Sequence, residues 1–472
     1  MSQFFDFCRH LPSVAAVLLL VAPAIMADEP VDSAVTEEPP VVAPEMDEAA
    51  LWGIETIDLE LKGDEIPTAL AAPDPSEIPE SVPLPEGEFE ETDELLWGDE
   101  LDFAESGAEE PGRGVSFLLP SGVTFDVGFV TSLVYDDNIF LTEEATSDTV
   151  FRFQPDLAVA FGDGRAKQET YFELAYRPTA NVFFENDSEN SFDQDVSTAF
   201  QVARSKTTIL GAVGFQRLSE ATNEVGGRFD RQVYNAALEL AYAVTGKTSL
   251  QVRGEYDGFR YDDENDFEDS DEIRGEIGVE YAFSPKTIVG LGYAYGELDF
   301  EVSGKQIYHQ AFADVEWNPS DKLSVNTRFG IEYRDLLSDS QTIPLLEAGF
   351  TYRPREKTSI TLRAYNREEA SPFIGGESFT STGFDAEVSQ QIGRRFTFIV
   401  GGGFENAEYN GGSSDGPPSR SDDLWFTRVA LRYQLRERFS LEAFYTRREN
   451  TSEDGGFGYE NNQVGLGGSL LF

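Results

Sequence analysis

Gln463-Val464-Gly465-Leu466-Gly467-Gly468-Ser469-Leu470-Leu471-Phe472 closes the sequence on an aromatic residue. In an extended strand successive side chains alternate between the two faces. Val464, Leu466, Gly468, Leu470 and Phe472 then share one side, and Gln463, Gly465, Gly467, Ser469 and Leu471 share the other. One face suits an apolar surrounding; the other is mostly small or polar. Alone, the stretch fits the last strand of a soluble sheet as well as a strand facing lipid. The two differ in what must recur upstream.

The period does recur. Segments of alternating character bounded by turn residues predict about 18 strands between residues 122 and 472, among them 168–181, 270–283, 323–335 and 358–366. Their connections alternate in length. Short turns such as Ser205-Lys206, Ser284-Pro285-Lys286 and Gly393-Arg394-Arg395 are interleaved with longer, mostly acidic loops: Asp136–Thr146, Glu220–Gly227, Asp262–Asp269, Asn410–Ser421. Short turns at one end and long loops at the other is the layout of a transmembrane β-barrel, and an even strand number puts both termini at the short-turn, periplasmic end. A soluble sandwich has no reason for that alternation.

Face chemistry points the same way. Ile273, Ile277, Val279, Tyr281 and Phe283 alternate with Arg274, Glu276 and Glu280; Leu323, Val325, Phe329, Ile331 and Tyr333 alternate with Asn326, Arg328, Glu332 and Arg334. In lipid the apolar face must point out and the sheet must close, because an open edge leaves backbone donors unpaired. The expected inward, lumen-lining set is Arg253, Arg274, Glu276, Glu280, Arg328, Glu332, Arg334, Arg363, Arg428 and Arg432. Tyr281, Phe283, Trp317, Tyr333 and Tyr352, near strand ends, fit aromatic belts at the two interfaces. The fold class is thus all-β: a transmembrane antiparallel barrel over residues 114–472, with outer-membrane lipid as its surrounding.

Residues 1–113 differ in kind. Met1–Ala27 carries Arg9 and His10 ahead of an apolar run, Val14 to Val21, and then small residues, the pattern of a secretory signal peptide. Residues 28–113 are acidic and Pro-rich and show no strand period. Such a segment is expected to be disordered and periplasmic, since it buries too little apolar surface to offset ordering entropy. Two islands within it are alike, Leu51-Trp52-Gly53-Ile54-Glu55 and Leu96-Trp97-Gly98-Asp99-Glu100. Trp52 and Trp97 are candidates for docking a periplasmic protein, the alternative being chance similarity in a biased segment.

The formal net charge of -52 argues against nucleic acid, whose phosphates it would repel. Cys8 is the only cysteine and His10 and His309 the only histidines, so the composition offers neither a His-rich metal site nor a ready acid–base catalyst. The sequence calls for no cofactor, and an enzyme is the disfavoured reading. The acidic run Asp262–Glu272 lacks the spacing of a calcium loop and fits a solvated outer loop.

The terminal strand resembles the closing strand of bacterial outer-membrane barrels, in which the final aromatic serves the barrel-assembly machinery as a signal; Leu470 and Phe472 stand at the matching positions. A narrower resemblance rests on Val134-Tyr135-Asp136-Asp137-Asn138-Ile139-Phe140, leading through Ser147-Asp148 to a strand carrying Pro155. It is similar to the entry of the putative β-barrel porin 2 family. That resemblance implies a channel or export component at the outer membrane, often associated with exopolysaccharide, and brings no catalytic residues. The competing expectation is a structural anchor whose acidic segment docks a partner.

Overall fold

The computed structural model describes residues 117–118, 123–162, 170–261, 267–336, 340–371, 378–409, 420–436, 438–453 and 456–471. The signal-peptide reading, the acidic segment with Trp52 and Trp97, and Phe472 lie outside them.

The described chain forms one antiparallel sheet that closes on itself. Its staves are β1 (Val123–Asp136), β2 (Asp148–Gly162), β3 in two pieces (Tyr171–Tyr176 and Thr179–Phe183), β4 (Ser191–Ala203), β5 (Thr207–Ala221), β6 (Arg228–Ala243), β7 (Thr248–Tyr261), β8 (Ser270–Ser284) and β9 (Thr287–Phe300). They continue as β10 (Gly304–Ser320), β11 (Leu323–Asp335), β12 (Ser340–Arg355), β13 (Thr358–Ala370), β14 (Ser378–Ile392), β15 (Phe396–Tyr409), β16 (Arg420–Arg436), β17 (Phe439–Ser452) and β18 (Tyr459–Leu471). The result is the all-β closed antiparallel barrel of 18 strands that the periodicity implies. A two-residue strand, Phe117–Leu118, pairs with the start of β1 beyond the end of β18.

Each stave pairs with the next, and β1 pairs with β18 from Gly128↔Leu471 to Asp136↔Gln463, which completes the ring. Leu470 lies opposite Phe129 on one side and Phe439 on the other. With no open edge, backbone donors and acceptors of the staves are satisfied within the wall, as a spanning sheet requires.

Three local features depart from the pattern expected of the sequence. The strand expected over 168–181 is broken at Arg177-Pro178, where proline has no N–H to give the ladder, and resumes to Phe183. The strand expected to end at 366 continues to Ala370 in register with Ser378 on β14. The connections after β9 and after β11 are short, although they lie at the end where most are long.

The outer face is apolar and open to its surroundings: Ile273, Ile277, Leu291, Phe329, Ile331 and Leu466 are all exposed. Tyr281, Phe283, Trp317 and Tyr352 stand toward the short-turn end of that face, and Tyr333 toward the long-loop end, beside His309. His309 itself accepts or donates at Nδ1 to the Tyr293 hydroxyl, 2.7 Å away, on this same outer face.

The motif at the end of β1 fastens the ring. Asp136 Oδ1 accepts from the Asn138 backbone N–H at 2.8 Å and from Asn461 Nδ2 at 2.6 Å, and Asp136 Oδ2 accepts from Gln463 Nε2 at 2.9 Å. Asp137 accepts from both the backbone N–H and Nδ2 of Asn462, at 2.6 and 2.8 Å. Asn138 Nδ2 donates to the Thr142 and Glu460 carbonyls. An Asp-Asp-Asn run is needed here because short side chains with fixed donors and acceptors can replace the ladder where β1 turns away from β18.

Candidate functional site: the charged interior

The face opposite the exposed apolar one carries the charges, and they meet over intervening staves as well as between neighbours. Arg274 reaches Glu255 at 2.5 Å and Glu276 at 2.7 Å. Arg328, on β11, pairs with Asp314 at 2.8 Å and also with Glu276, three staves away on β8, at 3.2 Å. Contact between non-adjacent staves is possible only inside the ring. Arg334 pairs with Glu332 at 2.7 Å, Arg363 with Asp385 at 3.1 Å, and Arg428 and Arg432 share Glu442 at 2.7 and 2.9 Å. Arg253 pairs with Glu255 at 2.6 Å, and Glu280 accepts from Ser249 Oγ at 3.1 Å.

Inward rings serve as platforms for several of these guanidinium groups. Arg328 lies 4.0 Å over Phe312, Arg334 4.7 Å over Tyr308 and Arg428 4.7 Å over Phe444. Stacking on a ring and a bidentate or shared carboxylate both suit the planar guanidinium, which explains why Arg rather than Lys supplies the positive charge.

The interior is not uniform along its length. Toward the short turns some of it is exposed: the side chains of Asp314 and Arg363 are 34% and 41% exposed, although Asp385 and Glu387 are buried. Near the long loops it is packed: Gln306, Glu369, Ser371, Arg420 and Asn461 are all buried. Over Ser371 and Arg420 the cover is the tip of the β5–β6 hairpin, Thr222–Gly227, which crosses the mouth. Gly227 N–H donates to the Phe140 carbonyl at 2.7 Å, and Asn223 Oδ1 accepts from the Tyr459 hydroxyl on β18. Arg420 Nη2, on β16, donates to the Glu224 carbonyl at 2.9 Å. The Glu224 carboxylate accepts from Ser371 Oγ, just beyond β13. Ala221, at the end of β5, packs with Leu141, Leu424 and Tyr459. One hairpin tip thus touches the β1, β13, β16 and β18 sides of the ring.

Gly226 and Gly227 make the fold-back possible. Both have positive φ, +67° and +80°, and a Cβ on Gly226 would stand 2.8 Å from the Leu141 carbonyl oxygen. Glu224 is fully buried there. Burial pushes its carboxyl up to about 8; the Ser371 hydroxyl and Arg420 pull it down, while Asp422 and Glu369 push it further up. Arg420 is held between the rings of Tyr409 and Phe457, 4.2 and 4.1 Å from its guanidinium carbon, and pairs with Asp422 at 3.0 Å.

This second group was not legible as a site. Parity puts Arg420 and Asp422 on the inner face, but Glu220–Gly227 reads as one more outer loop; the Gly226-Gly227 pair is the only local sign of its return. Among the described residues no group of three or more His, Cys, Asp or Glu side chains is arranged to hold a metal ion.

A closed, even-stranded ring with an apolar outside and a charged inside defines the class: an outer-membrane β-barrel of porin type. The family model for Putative beta-barrel porin 2 matches residues 331–470, from mid-β11 to the end of β18, and supports the resemblance first seen at the β1 motif.

Among solved structures the chain is similar to OpdK of Pseudomonas aeruginosa, crystallised with vanillate, at 12% identity and a TM-score of 0.41, over 73% of this chain and 98% of that one. It is similar to OpdO of the same organism at 13% and 0.43, over 73% and 97%, and to OccAB4 of Acinetobacter baumannii at 12% and 0.41, over 75% and 100%. At such identities and scores the likeness says nothing of ligand or mechanism. No curated protein matches.

Proposed function

We propose that the barrel is a porin-like conduit across the outer membrane, its path lined by Arg253, Arg274, Glu276, Glu280, Arg328, Glu332, Arg334, Arg363, Arg428 and Arg432. The observation that carries this reading is the contact of Arg328 with Glu276 over two intervening staves on the inner wall, in a region where the Arg363 and Asp314 side chains remain exposed. Charges of both signs need water or partners, and a barrel of 16 to 18 strands leaves an aqueous channel unless it is plugged. The family resemblance supports a finer reading in which the solute is a polysaccharide passing outward. An even strand number supports the reading that both ends of the barrel face the periplasm.

One observation favours a second reading. The packed long-loop half suits an anchor that holds the acidic segment in the periplasm and lets Trp52 and Trp97 dock a partner. Purified protein in planar bilayers separates the two. A conduit gives discrete current steps, and Arg328→Gln, which frees Glu276 and Asp314 from one cation, moves the reversal potential toward cation preference while the barrel still assembles. An anchor gives no steps at any pH, and a reversal potential unmoved by Arg328→Gln removes this residue from the path.

A further inference from the structure

We propose that the Thr222–Gly227 tip of the β5–β6 hairpin is a proton-operated gate, docked across the long-loop mouth while Glu224 is neutral and released when Glu224 ionises. The inference rests on the conduit reading above and names its regulation.

The geometry has three parts. First, the tip is a bridge and not a surface loop: it is tied to the Phe140 carbonyl, to Tyr459, to Arg420 and to Ser371, which belong to four different places around the ring. Second, its carboxylate sits where a charge is poorly served. Glu224 is buried, and its Oε2 has no hydrogen-bond partner among the described residues. Burying an ionised carboxylate without a paired cation is unfavourable, whereas a neutral carboxyl needs only ordinary hydrogen bonds.

Third, the guanidinium that faces it, that of Arg420, is turned to other work. Arg420 gives Nη2 to the backbone carbonyl of Glu224, lies between two rings and is paired with Asp422. The other titratable groups facing Glu224 are Glu369 from β13, Tyr409 from β15 and Tyr261 from β7. None of these brings a positive charge. The Ser371 hydroxyl donates to one oxygen and favours the ionised form, but burial outweighs it.

The direction follows from linkage. A free tip titrates near the ordinary 4.5 of a glutamate, and the docked one near 8. Docking is therefore favoured most below the lower value. Through the window the docked-to-free ratio falls by about tenfold for each pH unit, and the fall ends above the higher value. The mouth closes in acid and opens toward mild alkali. Release of four hydrogen-bonded contacts and one small apolar cluster leaves the ring itself intact, since β5 and β6 remain paired from Ala221↔Arg228 to Thr207↔Tyr242.

The test is conductance of the full-length purified barrel in planar bilayers between pH 5 and pH 9. We expect open-state occupancy to climb with pH in the wild-type protein. Glu224→Gln, which stays neutral, should hold the low-conductance state throughout. The described residues contain no cysteine, so Asn223→Cys with Tyr459→Cys, joined by a reducible bifunctional thiol reagent, should hold the low state at pH 9 until reduced. A Glu224→Gln protein with the wild-type pH profile, or a cross-linked protein that conducts as well as its reduced form, overturns the gate and leaves the conduit reading standing. A barrel that passes no current even with Asn223–Gly226 replaced by a shorter turn overturns the conduit reading, and the gate with it.

Discussion

Phe329→Arg is expected to remove most of the assembled barrel. Phe329 stands on the outer face, opposite Ala313 on β10 and Leu346 on β12, near the middle of its stave, and is 49% exposed among apolar neighbours. A guanidinium at the bilayer midplane of such a wall costs roughly 2–4 kcal/mol, and the side chain is too far from either rim to carry its charge into water. The readout is the fraction of folded, heat-modifiable protein in outer-membrane preparations, beside Arg328→Gln as control. Equal loss in both variants contradicts the assignment of faces.

Arg334→Ala should be the most damaging change on the inner face. Arg334 and Glu332 are buried to 4% and 2% exposure, and Arg334 supplies the cation for the Glu332 carboxylate at 2.7 Å, whose second oxygen accepts from the neutral amide of Gln310 at 2.8 Å. Taking away one member of a buried pair leaves an uncompensated charge and costs about 3–5 kcal/mol. The loss of stacking on Tyr308 adds to it. Replacing both residues together, Glu332→Gln with Arg334→Met, should recover much of that loss. The measurement is the temperature at which the folded band disappears. An Arg334→Ala barrel that melts with the wild type means that the pair contributes little.

The wall was legible because one residue type decides each position. On β8 and β11 the alternation of Ile, Val, Phe and Tyr with Arg and Glu states which side meets lipid, and the turns between staves mark where each ends. What the side chains do once inside was not legible. Arg328 finds Glu276 because β8 and β11 curve toward each other around the ring, and no spacing along the chain encodes that distance. The break in β3 follows from Pro178 and was visible in principle. The return of the β5–β6 tip was hidden because an acidic, Gly-ended loop looks alike whether it stands in water or folds over a mouth. The Asp136-Asp137-Asn138 run carries a family resemblance, and its work in joining β1 to β18 emerges only from the register.

The most direct measurement compares two neighbouring positions on β13. Leu362 and Arg363 are 43% and 41% exposed, in the latter case as its side chain, and their side chains stand on opposite faces of the wall. In outer-membrane fragments open on both sides, a charged, membrane-impermeant maleimide should label Arg363→Cys and leave Leu362→Cys unlabelled. A lipid-soluble reagent should label Leu362→Cys. Labelling of Leu362→Cys by the charged reagent, with Arg363→Cys protected, contradicts a barrel whose charged face encloses water and whose apolar face meets lipid.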